Sequence, residues 1–469
     1  MVLARLSATA FDFHAIRSEF DISDTFSPEA LAEAESATDR YSSERQDRTD
    51  LALVTIDPPG SMDLDQAVHI EKLSSGFVVH YAIADVGAIV VPGGALDVET
   101  NKRGQTFYLP DGSVPLHPRV LSEGSASLLP GEIRPAALWR IELDEAGEAV
   151  AWTVARATVR SVARLDYASV QADFDAGTPH PSIAPLGEFG RLRANAALRR
   201  GAIDITLPEQ EVVQDGDAWR IELQARTAVD AWNAEVSLLT GMCAARIMLD
   251  AGIGLLRTLP PAPDEAISTL KKTARLLGID WPAGASAGAV LASLPTDAPE
   301  TLAMMSQATA LLRGADYAAF EGKVPELVEH SGIAAPYAHV TAPLRRLSDR
   351  FTTEVCLAVA RGVDVPAWVR TALPDLPATM RASDSTASKV DRACIDLTEA
   401  SVLKNRVGQQ FSALVLRGAE GKRPAEVFVE EPIVIGKCTG TPTEGEKVTV
   451  TLTVADTDSR RVEFAYESP

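Results

Sequence analysis

Two near-continuous apolar runs, LALVTI at residues 51–56 and FVVHYAIADV at 77–86, bracket a stretch that carries three aspartates. Runs of this kind read as strands buried on both faces. Between them stand Asp57, Asp63 and Asp65, followed by Gln66. Asp63 and Asp65 are two residues apart, so in an extended chain they project to the same side. Asp57 ends the preceding strand, and the turn Pro58-Pro59-Gly60-Ser61 brings the chain back. The three carboxylates can therefore converge. At about 4 Å and an effective dielectric near 20, each like-charge contact costs roughly 4 kcal/mol. A divalent cation is the usual compensation, and oxygen-only ligands suit Mg²⁺ or Mn²⁺. An exposed acidic loop has the same D-x-D spacing, so spacing alone leaves both readings open. An EF-hand is a poor fit, because Val68 is the sixth residue counted from Asp63, where that loop needs glycine.

The texture changes along the chain. SPEALAEAESATDRYSSERQ reads as a helix opened by Ser27 and Pro28. AALWRIELDEAGEAVAWTVARATV reads as a hairpin turning at Asp144-Glu145-Ala146-Gly147. After about residue 187 helices dominate. GRLRANAALRRG is a basic helix, and in AWNAEVSLLTGMCAARIML the residues Trp232, Val236, Leu239, Cys243 and Ile247 recur at helical spacing. Residues 365–385 contain Pro and Ser and read as a connector, followed by the helix ASKVDRACIDLTEASVLKNRVGQ. The last sixty or so residues break into short strands separated by Gly, Pro and charged turns, the pattern of a small β-barrel.

Bulk properties narrow the partners. The net charge of −21 argues against holding duplex DNA on a generally basic surface, though a local basic channel remains compatible with it. Cys243, Cys356, Cys394 and Cys438 form no C-x-x-C pair, so disulfides and a thiolate zinc site are not expected. The start lacks an apolar leader, and no apolar run is long enough to span a bilayer. The expectation is a cytoplasmic protein with no membrane contact.

TIDPPGSMDLDQA resembles the signature of the ribonuclease II/ribonuclease R (RNB) family: T-I-D, a short turn, then D-h-D-D-A. HYAIADV, RGQTFYLPDGSVPLHPRVLSEGSASLLPGEIRPA, RRGAIDITLPE, EVSLLTGMCAARIM and HSGIAAPYAHVTAPLRRLSD resemble further blocks of that family in its order. The resemblance covers about residues 49–410. It implies an α/β (α+β) RNB-type catalytic domain over 49–365, after an N-terminal helical extension over 1–48. A connector and helix over 366–407 and an OB-like barrel over 408–469 would follow. The family's N-terminal cold-shock barrels are not expected within the first 48 residues.

The resemblance further implies a 3′→5′ exoribonuclease that hydrolyses single-stranded RNA with Mg²⁺ (or Mn²⁺) to nucleoside 5′-monophosphates. Asp65 and Arg345 match its catalytic groups, Arg345 facing the scissile phosphate. Asp57, Asp63, Asp65 and Gln66 match its metal-ligating positions. Tyr108, His330 and Arg346 are expected to contact RNA, Tyr108 at the 3′ end, and Glu235 falls on another block position. The departures are Gln66 for a fourth aspartate, PLHP for the usual P-M-L-P, and Gly241 for an asparagine. Because Gln66 brings no charge, an alternative on the same fold is an RNA-binding or regulatory protein with a weakened metal centre.

Overall fold

A computed structural model describes residues 12–205, 209–216, 218–224, 226–295 and 299–467. The expected helix after Ser27 is present at Pro28–Glu35, with the Ser27 hydroxyl accepting from the Ala30 amide. The two apolar runs form strands β1 (Leu53–Asp57) and β3 (Phe77–Ala84), with β2 (Gln66–Lys72) between them. The predicted hairpin is β4 (Ile133–Leu143) and β5 (Ala149–Asp166), and the Asp144 carboxylate accepts from the Ala146 and Glu148 amides at its turn.

These strands form a six-stranded sheet in the order Gln46–Asp47, β5, β1, β2, β3, β4. β5 is long enough for three partners: residues 149–160 pair antiparallel with β4, residues 157–158 pair parallel with Gln46–Asp47, and residues 161–166 pair parallel with β1. The sheet therefore curls back on itself. All eight residues of β3 are buried, His80 included, in keeping with its near-continuous apolar sequence.

Helices cover the sheet. α1 (Leu186–Arg200) crosses α2 (Ala228–Ala251) so closely that a Cβ at Gly190 would lie 2.2 Å from Trp232 Cδ1. α2 begins with a reciprocal cap, in which Asp230 Oδ2 accepts from the Thr227 amide and the Thr227 hydroxyl from the Asp230 amide. Val236, Leu239 and Cys243 face the core, as their spacing predicts. α3 (Leu347–Ala360) is buried continuously from Leu347 to Ala358. Its charged residues must therefore pair internally. Arg350 binds Asp97 at 2.5 Å, and Glu354 binds Arg156, which also binds the buried Asp85.

Most of the Pro- and Ser-containing stretch 365–385 is helical, at Ala367–Ala372 and then in α4 (Leu376–Leu403). Pro377 is tolerated because it lies in the first turn, where its missing N–H has no intrahelical partner to lose.

The C-terminal strands β6 (Gln410–Arg417), β7 (Ala425–Glu430), β8 (Ile433–Thr439), β9 (Lys447–Asp456) and β10 (Arg461–Ala465) close into a five-stranded barrel in the order β6-β7-β8-β10-β9. Leu414, Leu416 and Phe428 pack outward against Ala303, Leu302 and Leu277, which seats the barrel on the helical layer. The fold is thus a mixed α/β domain followed by a closed barrel, as expected.

Glu399 of α4 ties three pieces together. Its buried Oε1 accepts from the Gln210 side chain at 3.0 Å and from the Ile435 amide of β8 at 3.1 Å. Burial raises its pKa to about 7. The folded protein therefore keeps a proton that the unfolded chain releases above its ordinary value near 4.5, and stability falls as pH rises between the two. Glu399→Gln should raise the melting temperature by a few degrees at pH 8, on the order of 2–3 kcal/mol, and leave it unchanged at pH 5. Equal offsets at both pH values in calorimetry would mean that Glu399 stays ionised.

Candidate active site

The aspartates lie where β1 ends and the chain returns toward β2, with the charge of Asp63 acting on both Asp57 and Asp65. Asp57 is the last residue of β1, paired with Asp166 of β5. The turn that follows is closed by Ser61 donating to the Pro58 carbonyl, with Gly60 at φ +85°. Ser127 then clamps the acid loop from outside: its hydroxyl donates to Met62 O at 2.6 Å and accepts from Leu64 N–H at 3.0 Å. Leu64 is fully buried in an apolar cluster with Leu121, Leu128 and Leu344. Anchoring Leu64 inward turns its neighbours Asp63 and Asp65 to the opposite side, as the period of two requires.

Asp65 is only 4% exposed. Its Oδ1 accepts from Leu344 N–H at 2.7 Å, and its Oδ2 lies 3.8 Å from Arg345 Nε. Burial drives its pKa well above the usual carboxylate range, against the opposing effects of Arg345 and the Leu344 amide. Asp57 is pushed up to about 7 by burial and then by Asp63, while Arg345 and Arg164 oppose. Asp63 is raised by burial and by Glu123, opposed by Arg345 and Arg119. The positive charges present thus do not balance the desolvated acids.

Gln66 is held at both ends. Its Nε2 donates to Thr341 O at 2.7 Å, and its Oε1 accepts from the Tyr81 hydroxyl at 2.7 Å. Tyr81 spends its one proton there, so Ser237 donates to Tyr81, at 2.8 Å. One lone pair of Oε1 is left for another ligand.

The two arginines of APLRR differ sharply. The Arg345 side chain is 45% exposed and faces Asp65. The Arg346 guanidinium is buried and forks onto Asp349 at 2.6 and 2.8 Å, and Asp349 also accepts from Ala342 N–H. The turn 341–347 that carries both is fastened from many places. Gln66 binds Thr341 O, Asp65 binds Leu344 N, Thr106 N–H donates to Arg345 O, and Leu347 N–H donates to Gly104 O.

Tyr108 lies in the hairpin Phe107–Leu109/Gly112–Val114, between the buried Phe107 and Leu109, and is 54% exposed. Desolvation of its hydroxyl and the charge of Asp63 both raise its pKa, which places it beside the acids. His330 lies in the strand pair Glu329–His330/Ala335–Pro336. It packs against Tyr337, with ring centroids 6.2 Å apart, and lines a cavity with Glu235, Arg200 and Trp232; burial and Arg257 hold its pKa near 4. Gly241 has a steric reason: a Cβ there would meet the Tyr337 ring at 2.2 Å and Ala338 O at 2.6 Å. Sequence reasoning missed Ser127, Arg119 and Arg164, which shape or act on the acids and whose only signal is proximity in the fold.

The donor set suits a hard divalent cation: oxygens only, desolvated, with uncompensated charge. Among the described residues no three His, Cys, Asp or Glu side chains stand close enough to enclose an ion.

An α/β domain with this acid loop, followed by a C-terminal five-stranded barrel, defines the RNB class. The RNB domain family matches residues 45–360, and the RNase II-type exonuclease C-terminal S1 domain matches residues 409–467. The chain belongs to the RNB family. It is 28% identical over 345 residues to the exosome complex exonuclease RRP44 of Homo sapiens, covering 70% of this chain and 36% of that protein. It is 32% identical over 322 residues to ribonuclease R of Escherichia coli (strain K12), covering 65% of this chain and 39% of that protein. The chain thus spans less than two fifths of either relative. In structure it matches RNase R of Mycoplasma genitalium in complex with ribose methylated single-stranded RNA, with a TM-score of 0.86 and 19% identity, over 97% of this chain and 77% of that one. No described helix is long and apolar enough to cross a membrane.

Proposed function

We propose that this chain is a metal-dependent 3′→5′ exoribonuclease that hydrolyses single-stranded RNA and releases nucleoside 5′-monophosphates. The observation that carries this reading is the Asp65–Leu344–Arg345 arrangement, in which a desolvated carboxylate and a half-exposed guanidinium share one fixed turn. Kinship with two exoribonucleases supports it.

Mg²⁺ or Mn²⁺, taken by one or two of Asp57, Asp63 and Asp65, would add Lewis acidity at the phosphate and an acidified water. The Leu344 amide fixes one oxygen of Asp65 and leaves the other free to orient the attacking water and take its proton. Burial makes the Asp65 carboxylate a stronger base than an exposed one, as a proton acceptor requires. Arg345 offers a fork to the non-bridging phosphate oxygens as charge builds there. The Tyr108 ring offers the terminal base a stacking surface worth about 1–3 kcal/mol. Incubation with Mg²⁺ or Mn²⁺ and RNA labelled at either end tests this. A 3′ label should appear at once as mononucleotide, and a 5′ label as a shrinking ladder.

Gln66 favours a second reading. With both ends of its amide engaged and no charge to offer, it supports an RNA-binding or regulatory protein with a weakened centre. A metal titration of Gln66→Asp separates the two. If the site is catalytic, the added carboxylate should lower the Mg²⁺ concentration for half-maximal rate several-fold. The melting temperature should fall a few degrees, because Thr341 O loses its donor. Superimposable titration curves would put Gln66 outside the metal's reach. RNA bound without cleavage by either protein at any metal concentration would leave the second reading standing.

A further inference from the structure

His117 stands where the PLHP motif departs from its family pattern, and it is 1% exposed. Its Nδ1 lies 3.0 Å from the carbonyl oxygen of Leu344. A carbonyl can only accept, so Nδ1 carries the proton and donates. Leu344 is also the residue whose N–H holds Asp65 Oδ1 at 2.7 Å. The two peptide planes flanking Leu344 are therefore fixed from opposite sides. Asp65 holds the plane before it, and His117 holds the plane shared with Arg345. Because each peptide unit is rigid, this leaves the Arg345 backbone little freedom. The Arg345 amide adds a 3.3 Å bond to Ala342 O within the same turn.

We infer that His117 is a positioning residue: its hydrogen bond to Leu344 O sets where Arg345 stands relative to Asp65. The imidazole is suited to a constant role. Burial, reinforced by Arg350 and Arg103 and offset by Asp97, lowers its pKa to about 4, so it stays neutral with one proton to give. Leu116, next in sequence, donates its N–H to the Thr106 hydroxyl, and Thr106 N–H binds Arg345 O. The 116–117 segment thus holds the Leu344 carbonyl directly and the Arg345 carbonyl through Thr106.

The inference rests on the exoribonuclease reading and is tested with the full chain. His117→Leu keeps the bulk and removes the donor. His117→Asn keeps a donor at similar reach. His117→Leu should lower kcat roughly tenfold, the size of one lost hydrogen bond. KM, and affinity for single-stranded RNA measured in EDTA, should stay within about twofold. His117→Asn should recover kcat to within about threefold of wild type. Equal losses in both variants, no loss in either, or a loss confined to KM would overturn the assignment. Spectroscopy gives a readout independent of turnover. In protein labelled with ¹⁵N-histidine, His117 should show a protonated Nδ1 and a bare Nε2 from pH 5 to pH 9, and the opposite tautomer would overturn it. Should the wild type release no mononucleotide, the exoribonuclease reading fails and the tautomer alone decides the placement of the turn.

Discussion

Asp65→Asn should abolish mononucleotide release, by a factor of about 10³ or more, while affinity for single-stranded RNA changes less than threefold. The asparagine carbonyl can still accept from Leu344 N–H, so the turn keeps its shape. What is lost is a negative charge beside Arg345 and a group able to take a proton. The variant should also melt at a higher temperature than the wild type in EDTA at pH 8. Burial works against the Asp65 anion, and the amide removes that cost. Activity, filter binding and calorimetry on one preparation check all three. A variant that keeps more than a tenth of wild-type activity, or that loses RNA binding in step with turnover, would remove Asp65 from the reaction.

The neighbouring arginines should fail in different ways. Arg345→Ala should lower kcat by roughly 10²–10³, the cost of one transition-state donor, with the melting temperature nearly unchanged because the side chain is 45% exposed. Arg346→Ala strips the fork from Asp349 and leaves a fully buried carboxylate without its cation. That should cost about 3–5 kcal/mol of stability, seen as a melting temperature several degrees lower or as insoluble protein. That outcome would give Arg346 a structural task, whether or not it also makes the RNA contact the resemblance implies. Equal melting temperatures for the two variants would show that the Asp349 fork is dispensable.

Local rules made part of this molecule legible in advance. The side on which Asp63 and Asp65 fall follows from the two-residue period of an extended chain, with Leu64 as the buried counterpart. The barrel was visible because short strands and turn residues alternate at close intervals. The hairpin at Asp144–Gly147 and the core face of α2 were legible for similar reasons. The rest depends on pairings far apart in the chain. Gln66 meets Thr341 across 275 residues, and Asp65 meets Leu344 across 279. No periodicity encodes such contacts. Adjacent arginines cannot be told apart by composition, because their roles depend on which one the helix start turns toward Asp349. His330 fell on a motif position, yet the fold seats it against Tyr337 and Arg257.

The fastening of the 341–347 turn has a consequence for synthesis. The acids leave the ribosome well before the arginine that completes their geometry, which is translated almost three hundred residues later, as the 279-residue span from Asp65 to Leu344 records. Until that turn docks between Gly104, Thr106, His117 and the acid loop, the growing chain holds carboxylates without a phosphate clamp. On the exoribonuclease reading proposed above, the nascent chain would stay inert beside its own message until that turn has docked.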